Sequence, residues 1–425
     1  MRVSRPRATI VVTGSELVRG ERTDRNGPFY AREALALGLV PEQIAIVGDD
    51  PRDLEATLRA ASTADICLVS GGLGPTHDDR TVELVARVAG VPLRVDEELE
   101  RRIEGVSRAA AERLGRPYTD FAGGVTKQAT VPDGALVIGI AGTAPGLVLD
   151  DGDCVFVILP GPPGELRRLW PAAVASAPVQ AVLHGTTPPG RRVLRFFGAS
   201  ESAVARALAE AGGDGDGVEA TICARDFEIH VDLVVEPGAE SRADALSQAL
   251  REPLERYLFS EDEQSVAEIV LALCRERGWR LATAESCTGG LVAARLTDVP
   301  GSSDVFAGGI VAYANDVKTG ELAVPAALIA SHGAVSAEVA AAMAAGVRAR
   351  LGVDVGIAVT GVAGPDGGTE AKPVGLVQLH VSTPDDERGD GLSFPGDREM
   401  IRTRSTVAAL HLARRLMTRS RHEDV

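Results

Sequence analysis

Five times along this chain a short apolar run, of the length of a buried strand, ends in a polar turn bearing glycine or aspartate. Residues 8–12 lead into Thr13-Gly14-Ser15-Glu16, 44–47 into Gly48-Asp49-Asp50, and 65–70 into Gly71-Gly72-Leu73-Gly74. Residues 281–284 lead into Glu285-Ser286-Cys287-Thr288-Gly289-Gly290, and 355–360 into Gly361-Val362-Ala363-Gly364-Pro365. Helical stretches at about 52–61, about 81–89 and from about 291 follow three of these turns. Strands and helices alternating at such lengths build α/β layers with mostly parallel sheets, since a parallel pair needs a crossover that a helix can supply. Ligands bind at the carboxyl ends of such strands, so the five turns are where chemistry is expected.

A chain of 425 residues exceeds one ordinary core, which sets a prior of about two to four domains. Three modules are expected: an α/β domain over 1–172, a small α+β connector over 173–260, and a second α/β domain over 261–425. The connector follows from the linker-like Pro188-Pro189-Gly190 and from the period-two alternation of Phe227, Ile229, Val231, Leu233 and Val235 with polar residues. It carries no concentrated chemistry and is read as a spacer.

Composition removes several function classes. A formal net charge of -16 and 4% aromatic residues argue against a phosphate-backbone footprint or a base-stacking platform, so no nucleic-acid partner is expected. Neither a leader at residues 1–12 nor an apolar run of about 18 residues is read, so no membrane partner is expected. Five scattered cysteines fit a reducing cytoplasm without a disulfide framework. The alanine-rich stretch 337–351 suits close helix packing, including between two copies, and a homodimer is expected.

The turn Glu285–Gly290 gathers a carboxylate, two hydroxyls and a thiol, and opens a helix whose amides and dipole favour phosphate or a developing oxyanion. Taken alone, Ser286 and Thr288 read better as helix caps and Cys287 as a small buried hydrophobe; the company the turn keeps reverses this. With Pro300-Gly301-Ser302-Ser303, Ala312-Tyr313-Ala314-Asn315, Lys318 and Gly361–Pro365 in order, the stretch 265–417 strongly resembles the carboxy-terminal domain of the CinA family, the nicotinamide mononucleotide (NMN) deamidases. The resemblance implies catalysis by Ser303, Tyr313 and Lys318, with Ser286 and Thr288 in the neighbouring loop. A lysine of depressed pKa can serve as base for a serine, and amide hydrolysis also needs an oxyanion cradle. Substrate contacts are expected from Glu285, Thr288, Gly289, Gly290, Thr360, Gly361 and Gly364, with Arg402 preferred over Arg398 for a nucleotide phosphate. No cofactor is needed for that step. Cys287 has no companion histidine and is not read as the nucleophile.

In the amino-terminal third, the glycines of the turn after 65–70 allow close backbone approach to a phosphate, and Asp78 and Asp79 could hold a divalent ion or position a water. With Thr13–Glu16, Asp49-Asp50, Thr143–Gly146 and Leu159–Pro163, this region resembles the molybdopterin-binding fold of the MoaB and MogA proteins and of the CinA amino-terminal domain. That resemblance implies metal-dependent hydrolysis of ADP-ribose, with Asp79 and Asp50 as functional carboxylates, Asp79 and Asp78 as metal ligands, and Gly71, Gly72 and Gly74 as the phosphate cradle. Ser15 and His77 stand where the family commonly has Asp and Pro, and Asp366 where it usually has Gly. The leading expectation is conversion of NMN to nicotinic acid mononucleotide and ammonia. The alternatives are ADP-ribose pyrophosphatase activity and a non-catalytic, competence-linked nucleotide-binding adaptor.

Overall fold

The computed structural model describes residues 5–419; residues 1–4, part of the stretch read for a leader, and 420–425 lie outside the described residues. The chain divides into two compact units, 1–190 and 191–425. The division falls at the proline-glycine linker, so the expected boundary at 172/173 moves. Ala173 and Val179 are buried in the first unit's core, which ties the residues just after 172 to that unit.

In the first unit β1 (Arg7–Thr13), β2 (Val40–Val47), β3 (Ile66–Ser70), β4 (Leu136–Ala141), β5 (Ala144–Asp150) and β6 (Val155–Leu159) form one sheet in the order β2-β1-β3-β6-β5-β4. The pairs β1/β2, β1/β3 and β3/β6 are parallel, whereas β4 and β5 join antiparallel. The continuous apolar runs of β1, β3 and β6 are explained by burial on both faces, whereas β2 lies at the sheet edge with Ile44 and Ile46 exposed. Val11, Cys67, Val69 and Phe156 enter one core, while Ile10, Val12, Leu68 and Val157 enter the other.

The second unit holds two sheets. β7 (Gly190–Phe197), β8 (Val218–Arg225), β9 (Glu228–Val235) and β10 (Leu258–Ser260) form a four-stranded sheet in the order β8-β9-β7-β10, with its own core of Phe196, Val231, Leu233, Leu246 and Leu250. β11 (Leu281–Glu285), β12 (Phe306–Val311), β13 (Val355–Gly361), β14 (Leu376–Ser382) and β15 (Glu387–Ser393) form a five-stranded sheet in the order β12-β11-β13-β14-β15. Its first three strands are parallel and the last two antiparallel. One face packs Leu281, Ile357 and Val359 under the terminal helix Arg398–Arg419; the other packs Ala282, Ala284 and Ala358 under the helix Ala337–Leu351. The alanines of that helix serve close packing within the chain, since a Cβ at Gly356 would lie 2.3 Å from the Ala344 carbonyl oxygen. Both α/β parts thus have the mixed α/β architecture expected.

Candidate functional site

β11 ends at Glu285, and the Ser286 amide donates to the Val359 carbonyl (2.8 Å), which seats the turn at the carboxyl end of the parallel strands. Lys318, on the helix Asn315–Leu322 after β12, is 1% exposed, and its Nζ lies 3.1 Å from Ser286 Oγ, 2.7 Å from the Ala312 carbonyl oxygen and 3.2 Å from that of Tyr313. An amine that gives two protons to two carbonyls has its remaining position directed at the serine hydroxyl. Burial holds Lys318 below the ordinary lysine range, which favours the neutral amine that could accept that proton.

Ser303 is not brought to this site. It is exposed on the single turn Ser302–Asp304 just before β12, which runs parallel to β11 with Phe306 opposite Leu281. Ser303 thus lies at the amino end of the sheet, about a strand length (~15–20 Å) from the edge where Ser286 sits. The serine beside Lys318 is Ser286; parallel strand direction carries Ser303 to the opposite end of the sheet. Tyr313 gives Lys318 its backbone carbonyl, while its phenol oxygen, 59% exposed with the ring, accepts from Arg398 (2.9 Å). The same guanidinium donates to the Gly364 carbonyl (2.7 Å), so Arg398 bridges two of the expected segments.

Several other expected contacts are used by the protein itself. The Glu285 carboxylate, 1% exposed, accepts from the amides of Gly290 (2.9 Å), Val292 (3.0 Å) and Ala293 (2.8 Å), capping the helix Leu291–Thr297. The positive helix end expected to face a ligand is therefore neutralised from within. Arg402 donates to the carbonyls of Cys287 (3.1 Å) and Thr288 (2.8 Å), bracing the turn. Thr360 Oγ1 donates to the Ala334 carbonyl (2.9 Å). Gly289 and Gly290 have left-handed backbones, and a Cβ at Gly361 would meet Val377 at 2.8 Å and Cys287 Sγ at 3.1 Å. Burial pushes the Cys287 thiol up to about 11, which makes it a poor nucleophile. The amides of Cys287 and Thr288 donate to no oxygen among the described residues.

In the first unit a cavity of about 660 Å³ opens at the carboxyl ends of β1 and β3, with Thr13, Glu16, Asn26, Asp49, Ser70 and Asp79 among its walls. Asp50 is not among them. Its carboxylate caps the helix Pro51–Ala61 through the amides of Arg52 (2.9 Å) and Asp53 (3.3 Å), and of this aspartate pair it is Asp49 that lines the cavity. Asp49 accepts from Ser15 Oγ (2.6 Å), the Ser15 amide (2.9 Å) and Thr13 Oγ1 (3.2 Å). A serine at position 15 thus replaces what an aspartate would make a like-charge pair.

Asp78 and Asp79 line the cavity, with Asp79 accepting from the Thr76 amide (3.0 Å) and hydroxyl. No three His, Cys, Asp or Glu side chains among the described residues converge as a cage for an ion. The donors fit instead an ion held by one or two carboxylates and a ligand's own phosphates. Gly71 is required by close approach, since a Cβ there would lie 2.5 Å from the Thr13 carbonyl oxygen; Gly72 and Gly74 are as tightly placed against Thr81 and Asp79. Asn26 was not anticipated: its amide group donates to Ser70 Oγ (2.8 Å) and the Gly161 carbonyl (2.7 Å), leaving Oδ1 buried without a donor. Its one sequence signal was a position opening a helix beside the first strand's turn.

Comparison with known proteins follows this division. Residues 263–417 match the CinA C-terminal domain, and residues 9–178 match a probable molybdopterin binding domain. The chain is 46% identical over 421 residues to a CinA-like protein of Mycolicibacterium gilvum, covering 97% of this chain and 99% of that one. It is also 46% identical over 425 residues to a CinA-like protein of Mycobacterium tuberculosis, covering 97% of each. Among solved structures, a competence/damage inducible protein from Agrobacterium tumefaciens shares 36% identity, covering 36% of this chain and 96% of that one, with a TM-score of 0.34. With a molybdopterin-binding-type amino-terminal domain and a CinA carboxy-terminal domain in one chain, the protein belongs to the CinA family.

Proposed function

We propose that the carboxy-terminal domain hydrolyses the carboxamide of NMN to nicotinic acid mononucleotide and ammonia, with Ser286 as the nucleophile. The observation that carries this reading is the buried Lys318 amine 3.1 Å from Ser286 Oγ. Ser286 Oγ attacks the carboxamide carbon as its proton passes to Lys318 Nζ. The resulting oxyanion is held by the amides of Cys287 and Thr288, which donate to no oxygen among the described residues and meet only the weak acceptor Cys287 Sγ. Lys318 returns the proton to the departing nitrogen as the C–N bond breaks, ammonia leaves, and water then cleaves the acyl-serine by the same relay. Tyr313 and Arg398, at the exposed rim, suit the ring and phosphate of a mononucleotide, and Arg402 acts by bracing the turn.

The purified chain should release ammonia from NMN in the presence of a chelator. Ser286→Ala and Lys318→Ala should each lower kcat by a factor on the order of a thousand, and Ser303→Ala should leave it near the parent value. Full activity in Ser286→Ala would overturn the assignment.

A second reading is favoured by the amino-terminal cavity, whose volume suits a nucleotide and whose unpartnered Asn26 Oδ1 calls for a ligand hydroxyl or amine. In that reading ADP-ribose is hydrolysed to AMP and ribose 5-phosphate. A divalent ion held by Asp79 or Asp49 and the diphosphate would supply charge neutralisation. AMP should form only with a divalent ion and not in Asp79→Ala; no AMP from the parent chain under any divalent ion would dismiss this reading.

A further inference from the structure

The hairpin between β8 and β9 has a two-residue turn, since Arg225 pairs with Glu228, and both turn residues, Asp226 (φ 52°) and Phe227 (φ 70°), are left-handed. Such turns favour Asn-Gly, and a phenylalanine in this conformation is disfavoured by its own backbone. Something beyond the hairpin must hold it there.

Its contacts supply the reason. The Phe227 ring lies edge-on to Phe394 (centroids 5.3 Å apart, 87°), the buried residue between β15 and the terminal helix, and edge-on to Phe197 of β7 (5.7 Å, 78°). The Arg404 guanidinium sits 5.7 Å from its ring centre. Asp226 accepts from Arg295 (2.7 Å) on the helix Leu291–Thr297, which starts where the Ser286 turn ends. Glu228 accepts from His411 (2.7 Å) on the terminal helix. Three consecutive residues thus grip the helix that leaves the turn and the helix whose Arg402 holds the turn's carbonyls.

A trans peptide is planar, so fixing the Cys287 carbonyl toward Arg402 directs the Thr288 amide the opposite way. The spacing of the two helices therefore sets the direction of an oxyanion donor. We infer that the Asp226–Phe227 turn is a positioning element of the Ser286 site, which makes the small module part of the catalytic unit and not a spacer. This rests on the deamidase reading for its kinetic consequence, but the structural consequence can be measured independently of it.

Phe227→Gly removes the ring while relieving the left-handed backbone, so folding is spared. In the full-length chain, amide hydrogen exchange across 286–293 should speed up by about tenfold, as local opening of a braced turn requires. The kcat for ammonia release from NMN should fall by about tenfold with KM within about twofold, and Phe227→Leu should regain most of it. Asp226→Ala and Arg295→Ala should each show a smaller loss, with the double variant no worse than either. Unchanged exchange at 286–293 in Phe227→Gly overturns the inference. So does a parent-like kcat, or a loss that tracks the melting temperature and is not regained by Phe227→Leu. A parent chain that releases no ammonia refutes the deamidase reading instead, and the exchange result then decides this inference alone.

Discussion

Lys318 is the residue on which the proposed chemistry turns. A fully buried ammonium is costly unless its three protons are met, and here two carbonyls and one hydroxyl surround Nζ. Burial lowers its pKa from the lysine range. Only the neutral amine can accept the Ser286 proton, so activity should be lost as pH falls through that depressed pKa and regained as pH rises. The expected result is a rising limb of kcat/KM lying below about 10.4, the free lysine value, with no such limb in Lys318→Arg, which stays charged. A limb at or above the free value in the parent chain would refute the base assignment.

At the scale of the element, the turn after β11 is built around Glu285. Three amides of one helix terminus converge on its buried carboxylate, doing from inside the chain what a bound anion would do from outside. Glu285→Gln keeps the shape but puts an NH₂ group against amide donors, and it should destabilise the second unit by about 2 kcal/mol. Urea unfolding of the variant against the parent checks this, and equal midpoints would show that the cap contributes little. A short, largely apolar strand and a helix start are local properties, which is why this turn could be located from residues 281–290 alone. That its carboxylate is spent on its own helix is not local: Glu285 could as well have faced a ligand until the backbone path of 290–293 was known.

Across the whole molecule, the second unit joins its two sheets through a buried polar contact as well as apolar ones. Glu228, held down to about 2 despite burial by its bonds to His230 and His411, stays ionised, whereas burial between Phe197 and Phe259 lowers His411 to about 4. A histidine whose folded pKa lies below its unfolded one stabilises fully above the unfolded value, and that contribution is lost as pH falls toward the folded one. Stability of the second unit should therefore drop by about 3 kcal/mol between about pH 6.5 and 4, with the loss of Glu228 adding below about pH 4.5. Urea midpoints at stepped pH check it; the upper limb should vanish in His411→Gln, and its persistence there would assign it elsewhere.

Much of this protein was settled by the sequence itself: the α/β class, the strand-ending turns and the family, because apolar period and turn chemistry are written residue by residue. Among the described residues no helix is long and apolar enough to cross a membrane, which the hydropathy of the chain already required. The tertiary structure decided which side chains meet. Ser303 is 15 residues from Lys318 in the chain and lies at the far end of the sheet, whereas Ser286, 32 residues away, touches it. Asp49 and Asp50 are neighbours, yet one lines a cavity and the other caps a helix. The meeting of Ser286 with Lys318 depends on strand direction and crossover path, which no local pattern of residues encodes; the cap at Asp50 is local, an aspartate before Pro51 at a helix start, but that Asp49 lines the cavity is decided by the fold.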